Sequence, residues 1–170
     1  MKKILPLIGV TFLTLALTAC GGGSGSSSGS GSTSTLQPFP CAGLSAAFAN
    51  GSTTPTNLAC VDSPAGTGTV LTAGHTPNLT FTGYLFTSAN AGTSYEGAVF
   101  QPTASMASTK VGVGAFISGF DQGVLGMQVG GTRTLIIPAS MAYGASPPAG
   151  SSIPANAALV FVVTLNSIVS

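Results

Sequence analysis

A run of strongly strand-forming residues near the C-terminus, residues 158–169, constrains the fold more than any other part of the chain. It reads ALVFVVTLNSIV, and its β-branched and aromatic side chains favour an extended backbone. Two further runs have the same character: residues 79–86 alternate apolar with polar side chains, and residues 132–137 are rich in β-branched side chains and end at Pro138. We therefore predict that the three runs pair in one antiparallel sheet.

One amphipathic segment, residues 119–129, lies between the run at residues 79–86 and the run at residues 132–137. Its spacing places three apolar residues on one stripe of a short helix: Phe120, Val124 and Met127. Ser118 and Asp121 are spaced like a capping box at the start of this helix, with Asp in place of the usual Glu. One short helix packed on a sheet predicts an α+β fold.

The chain carries very few ionisable side chains. Lys and Arg number four, Asp and Glu three and His one, so that charged residues make up 4% of the sequence, against about 25% in an ordinary soluble domain. A nucleic-acid interface needs several Lys or Arg side chains, and acid–base catalysis or a metal centre needs clusters of Asp, Glu, His or Cys. We therefore expect no nucleic-acid partner, no metal and no cofactor.

The N-terminus predicts export. Two lysines precede a mostly apolar run, residues 4–19, which is shorter than the roughly 20 residues that span a bilayer and typical of a signal peptide. The tetrad LTAC at residues 17–20 resembles the bacterial lipobox, in which the cysteine, here Cys20, is acylated and becomes the first residue of the mature chain. This interpretation makes residues 1–19 a lipoprotein signal peptide. The alternative is an ordinary signal peptide followed by a chance cysteine.

Residues 20–35 are predicted to be the lipidated cysteine and a tether. After Cys20 the segment contains only Gly, Ser and Thr, which cannot bury apolar surface. Residue 21 is Gly, where the familiar signal for retention at the inner membrane is Asp. We therefore expect the protein in the cell envelope, lipid-anchored at the outer membrane and facing the periplasm or the cell surface.

Two further cysteines, Cys41 and Cys60, lie in a Pro- and Gly-containing segment of weak periodicity, residues 36–64. An exported chain passes through an oxidising compartment, where such a pair tends to form a disulfide. A catalytic thiol and a pair of metal ligands are the alternatives, although the chain offers one histidine and no Cys-x-x-Cys spacing to support them. We expect residues 36–64 to be an N-terminal extension with this disulfide.

Three motifs in compatible order and spacing resemble the FKBP-type peptidyl-prolyl cis-trans isomerases: GVGAFISGFDQGVLGMQVGGTR at residues 112–133, IPASMAYGA at residues 137–145 and IPANAALVF at residues 153–161. Upstream, residues 81–85 (FTGYL) fit the first core strand of the family, and residues 99–103 (VFQPT) stand where the family usually has Phe-Asp-Ser. The resemblance implies an FKBP-like domain over residues 65–170. Its fold would be a curved antiparallel sheet of about five strands wrapped on one short helix.

The resemblance also implies a site. Five residues would be catalytic and four would bind substrate: Tyr143, Phe81, Phe100, Gln101 and Phe161, and then Phe116, Ile117, Phe120 and Ile153. Among them Tyr143 would donate its hydroxyl to a substrate carbonyl. Three positions depart from the family pattern, because Phe81 replaces a Tyr, Phe120 replaces a Trp and Gln101 replaces an Asp. The loss of the acidic side chain predicts an active but sluggish enzyme.

The implied activity is rotation of X-Pro bonds in envelope proteins, a folding-helper role whose partners are proline-containing polypeptide segments. This reaction needs no covalent or acid–base step, because an apolar cleft that holds a twisted amide lowers the rotation barrier. A chain with nine Phe and few charges is compatible with it. The alternatives are a non-catalytic module of the same fold that binds proline or another apolar ligand, and a structural surface lipoprotein without a cleft.

Overall fold

A computed structural model describes residues 41–49, 52–91 and 94–169. The predicted signal peptide, Cys20 and the Gly/Ser/Thr tether lie outside the described residues. The described chain forms five strands and one α-helix: β1 (Ala59–Asp62), β2 (Thr76–Phe86), β3 (Glu96–Met106), α1 (Ser118–Gly123), β4 (Thr132–Ile137) and β5 (Leu159–Val169). Three short 3₁₀ turns occupy Leu44–Ala47, Ser88–Asn90 and Ala139–Met141. Within these described segments, no helix has the length and apolar character needed to cross a bilayer.

The five strands form one antiparallel sheet in the order β1-β4-β5-β2-β3. The three strand-like runs of the sequence are β2, β4 and β5, and β5 lies between the other two. Phe161 near the start of β5 is opposite Leu135 of β4 on one side and Gly83 of β2 on the other. The predicted fold, an α+β domain with a five-stranded antiparallel sheet and one short helix, is confirmed.

The N-terminal extension contributes a strand to this sheet. Strand β1 pairs with β4 at the edge, with Cys60 opposite Leu135, so the division drawn at residue 65 falls between two strands of one sheet. Cys60 is joined by a disulfide to Cys41, with their Cα atoms 4.8 Å apart. The segment before β1 is thereby held beside the sheet, where Ala47 is fully buried.

Helix α1 is shorter than the sequence pattern predicts. It ends at Gly123, whereas the apolar stripe predicts a helix to residue 129. Met127 and Leu71 instead pair through their backbones, with the Leu71 N–H donating to the Met127 carbonyl at 2.8 Å. The stripe is still buried, because Phe120, Val124 and Met127 are 4%, 0% and 2% exposed. The helical spacing of these three residues therefore reflects their burial. The helix ends earlier because the backbone of Met127 pairs with that of Leu71, which is distant in the chain.

The predicted capping box is also wrong. The residue before the first helical turn is Ile117, and it has no side-chain cap. The Ser118 hydroxyl donates instead to the Met141 carbonyl at 3.3 Å. The Asp121 carboxylate accepts hydrogen bonds from the loop that precedes the helix.

Helix α1 packs very closely on strand β4. A Cβ atom at Gly123 would lie 2.8 Å from a methyl carbon of Leu135, so a larger residue there would push the helix off the sheet. Gly119, one turn earlier, faces Ile137 in the same way. This close approach brings the next large side chain of the helix, Phe120, onto the neighbouring strand β5.

A buried arginine joins the end of this helix to the sheet. Arg133 of β4 is 3% exposed. Its guanidinium donates to the carbonyls of Gly123 and Leu125 at 2.8 and 2.9 Å, and it forms a bidentate ion pair with Asp62 of β1 at 2.6 and 2.9 Å. One side chain therefore satisfies the last carbonyl of α1 and a carbonyl just after the helix, and it links β4 to β1.

We expect Arg133→Met to lower the free energy of unfolding by about 3–5 kcal/mol, because the change leaves buried carbonyls without donors and removes the buried partner of a part-buried ion pair. Lys110→Met is the matched control, since it removes a positive charge from an exposed position and should change stability by less than about 0.5 kcal/mol. Urea denaturation of both variants measures the difference. Equal losses in the two variants would contradict this role of Arg133.

Candidate functional site

A cleft of about 370 Å³ lies between α1 and the concave side of the sheet. Nine residues line it: Phe81, Phe100, Gln101, Ala115, Phe116, Ile117, Phe120, Tyr143 and Phe161. Eight of them are among the site residues predicted from the sequence. The ninth predicted residue, Ile153, does not line this cleft and is packed in the core, 7% exposed.

Three strands supply one wall of the cleft. Phe81 comes from β2, Phe100 from β3 and Phe161 from β5. The Phe100 ring leans over β2 because Gly83 leaves room for it, since a Cβ atom at Gly83 would lie 2.6 Å from Cζ of Phe100. In that position the Phe100 ring meets Phe161 edge-on, with the ring centroids 5.6 Å apart and the planes at 87°.

Phe120 of α1 forms the floor of the cleft and contacts three of its other aromatic rings. Its centroid lies 5.3 Å from Phe161, 5.7 Å from Phe81 and 5.5 Å from Phe116. Two of these contacts are edge-to-face, the geometry in which the positive edge of one ring meets the negative face of another. Phe120 is 4% exposed, so mutual packing of the rings fixes the shape of the cleft.

The loop before α1 supplies the remaining apolar wall. It presents Ala115, Phe116 and Ile117 to the cleft. Ala115 was not predicted from the sequence, because a small side chain carries no chemical signature. Its position directly before Phe116, inside the longest of the three motifs, was the signal that could have identified it.

Two polar side chains reach the cleft. The hydroxyl of the half-buried Tyr143 has no hydrogen-bond partner among the described residues, so it is free to donate to a bound molecule. The amide nitrogen of Gln101 donates to the carbonyl of Pro102 at 3.1 Å. This hydrogen bond turns the amide nitrogen toward the protein's own backbone, while the carboxamide oxygen has no partner among the described residues.

The nine lining residues include no charged side chain and no thiol. The described segments also contain no cluster of three or more His, Cys, Asp or Glu side chains that could hold a metal ion. An aromatic cleft with one hydroxyl donor and one amide acceptor can accept an uncharged apolar group and hydrogen-bond a carbonyl beside it. It offers no nucleophile and no proton acceptor of ordinary acid–base strength.

Comparison with known proteins agrees with this geometry. Residues 69–166 match the family model of the FKBP-type peptidyl-prolyl cis-trans isomerases. An FK506-binding protein of Streptomyces anulatus is 38% identical over 115 residues, which cover 68% of this chain and 89% of that protein.

Solved structures have the same fold. The crystal structure of AtFKBP13 superposes with a TM-score of 0.50 at 30% identity, covering 66% of this chain and 93% of the other. A peptidyl-prolyl cis-trans isomerase of Pseudomonas syringae pv. tomato gives a TM-score of 0.52 at 22% identity, covering 66% and 76%. From the family model over residues 69–166 and these relatives, the chain belongs to the FKBP-type peptidyl-prolyl cis-trans isomerase family.

Proposed function

We propose that this protein catalyses cis–trans rotation of X-Pro bonds in polypeptides of the cell envelope. The observation that carries the proposal is the uncharged aromatic cleft, with the Tyr143 hydroxyl available beside it, in a chain of this family. The partners are unfolded or flexible segments that present a proline with uncharged neighbours.

The reaction follows from the physical character of the amide bond. Rotation is opposed by a barrier of about 18–20 kcal/mol, because the C–N bond is partly double and its resonance is charge-separated. Water stabilises that polar planar form, so an apolar cleft that replaces the water favours the twisted form. In this scheme the Phe120 ring lies beneath the prolyl ring and the Phe81, Phe100 and Phe161 rings surround it. Tyr143 donates to a substrate carbonyl and keeps the chain in one orientation.

We expect the uncharged side chain of Gln101 to lower the rate of X-Pro rotation. An acidic side chain accepts hydrogen bonds worth roughly 1.5–3 kcal/mol, against about 1 kcal/mol for a neutral acceptor. If only this difference is lost in the transition state, the rate falls on the order of ten-fold, since 1.36 kcal/mol corresponds to one decade. The proposal is therefore an isomerase slower than relatives with a carboxylate at this position.

Two-dimensional NMR exchange on a short Phe-Pro peptide tests the proposal. We expect the wild-type protein to accelerate the exchange, and Phe161→Ala to slow it on the order of ten-fold, equivalent to about 1.4 kcal/mol of transition-state stabilisation. Val163→Ala is the matched control, because Val163 is buried on the same strand but does not line the cleft. Both variants are first shown to be folded by circular dichroism, since truncating a buried Phe costs about 3–5 kcal/mol.

The outcomes separate the proposal from its alternative. Saturable peptide binding without faster exchange would identify the protein as a non-catalytic module that binds proline or another apolar ligand. Equal rate losses in Phe161→Ala and Val163→Ala would show that the ring of Phe161 has no part in the reaction.

A second prediction concerns Gln101. Gln101→Asp should raise the rate about ten-fold, because it restores a charged acceptor worth roughly 1.4 kcal/mol or more. Gln101→Glu is the matched comparison, since its longer side chain would bring a carboxylate oxygen against the Pro102 carbonyl that now accepts the Gln101 amide. We expect this variant to gain less. A folded Gln101→Asp protein no faster than wild type would refute the role of charge here.

The proposed location follows from the N-terminal sequence. Removal of residues 1–19 would leave Cys20 as an acylated first residue, and residues 20–35 as the tether between the membrane and the domain. Several acyl chains, each methylene contributing about 0.8 kcal/mol when buried, make a stable anchor. The domain would then act on polypeptides close to the outer membrane.

Cys20→Ala tests the anchor. We expect cells that express this variant to incorporate no labelled palmitate into the protein, because the acylated sulfur is missing. Ser24→Ala, a change in the tether that keeps the LTAC tetrad, should incorporate label as wild type does. Incorporation into the Cys20→Ala protein would contradict a lipid anchor at this residue. Acylation is the decisive readout, since an uncleaved signal peptide could itself retain the variant in membranes.

A further inference from the structure

The loop that forms one wall of the cleft is held by a single side chain. In the described part of the chain, residues 112–116 make no backbone hydrogen bond to another backbone group. Their hydrogen bonds are two, both to the carboxylate of Asp121: the Gly112 N–H donates to Oδ1 and the Gly114 N–H to Oδ2, each at 2.6 Å.

Both ends of this loop are anchored by other means. Before it, Val111 is fully buried and its backbone pairs with the turn that leads into β2, donating to the His75 carbonyl at 3.1 Å and accepting from the Gly74 N–H at 2.8 Å. After it, the Ile117 carbonyl accepts the first hydrogen bonds of α1. The residues between these anchors include Ala115 and Phe116, which line the cleft.

The two glycines make this arrangement possible. Gly112 and Gly114 have φ of 71° and 81°, a left-handed conformation that other residues rarely adopt. With Val113 between them turned to solvent, 58% exposed, both N–H groups point at the same carboxylate. The sequence Gly-Val-Gly therefore allows two backbone N–H groups to donate hydrogen bonds to the one carboxylate of Asp121.

Asp121 itself is buried and, among the described residues, forms no ion pair. It is 1% exposed, and the ion pair of the described chain joins Arg133 to Asp62 instead. A carboxylate removed from water needs strong hydrogen bonds, and bonds from N–H groups to an ionised acceptor are short and strong. Because Asp121 follows Phe120 on α1, the helix that supplies the floor of the cleft also holds its wall.

We propose that Asp121 is a positioning residue of the cleft: its carboxylate clamps the Gly112–Gly114 backbone to α1 and thereby places Phe116 and Ile117 beside Phe120. The inference deepens the proposed isomerase function and rests on it. Asp121 does not line the cleft, so it acts through the loop. The other role open to it, a favourable charge in the first turn of α1, would affect stability alone.

Hydrogen exchange of the wild-type protein tests the clamp directly. We expect the amides of Gly112 and Gly114 to exchange much more slowly than those of Val113 and Ala115, which have no acceptor in the described structure. The Gly112 and Gly114 amide protons should also resonate at unusually low field, as N–H groups bonded to a carboxylate do. Equal exchange at the four amides would overturn the proposal without any mutant.

Asp121→Asn tests the consequence for the cleft. Asn offers one acceptor oxygen, and its amide group faces the second glycine N–H, so one of the two hydrogen bonds is lost. We expect the two glycine amide resonances to move to higher field and kcat/KM for the Phe-Pro peptide to fall on the order of 10²-fold, as a displacement of about 1 Å in a binding wall can produce. Peptide affinity, measured by titration, should weaken as well.

Asp62→Asn is the matched control. It neutralises a carboxylate that pairs with Arg133 at the edge of the sheet and touches neither the loop nor the cleft. We expect this variant to lose thermal stability while its kcat/KM and its Gly112 and Gly114 resonances stay as in wild type. Asp121→Asn with lowered stability but unchanged kinetics and peptide affinity would overturn the positioning role.

The test separates this proposal from the proposed function. If the wild-type protein does not accelerate X-Pro exchange, the isomerase proposal fails. Amide exchange, the glycine resonances and peptide affinity then still decide whether Asp121 holds the wall of a binding cleft.

Discussion

The close approach of α1 to strand β4 is the constraint on which the rest of the structure depends. It exists because Gly119 and Gly123 have no side chain on the face that meets the sheet, and because Arg133 satisfies the carbonyls at the end of the helix. A helix any further away would lift Phe120 off Phe161 and open the floor of the cleft. The site is therefore a consequence of how tightly one short helix packs.

The two buried charges of the described chain support its architecture. Among the described residues, Arg133 and Asp121 are the buried charged ones, and both bind backbone groups: carbonyls at the end of the helix for Arg133, N–H groups before the helix for Asp121. Each end of α1 is thus held by one ionised side chain in a low-dielectric setting, where such hydrogen bonds are strongest. The cleft beside the helix is lined by uncharged side chains, which is compatible with the proposed rotation of an amide bond.

Most of the site could be predicted from the sequence. Aromatic residues such as Phe116, Phe120 and Phe161 stand inside motifs whose order and spacing identify the family, so the fold that the family implies brings their rings together. The position of Ile153 was harder to predict, because an apolar side chain that lines a cleft and one that packs in the core look the same in a sequence. Ala115 was not predicted, since its methyl group lines the cleft only because the folded backbone of the loop places it there.

The sequence by itself determined three of the five strands, the family and the aromatic character of the cleft, because these depend on local periodicity and on ordered motifs. The tertiary structure decided where α1 ends, that β1 joins the sheet, and that Asp121 turns to the preceding loop rather than capping the helix with Ser118. The first two depend on hydrogen bonds between segments distant in the chain, such as Leu71 with Met127. The third depends on side-chain hydrogen bonds to the loop just before the helix. The local periodicity of a sequence indicates which side chains are buried. It does not indicate which backbone groups form hydrogen bonds with each other.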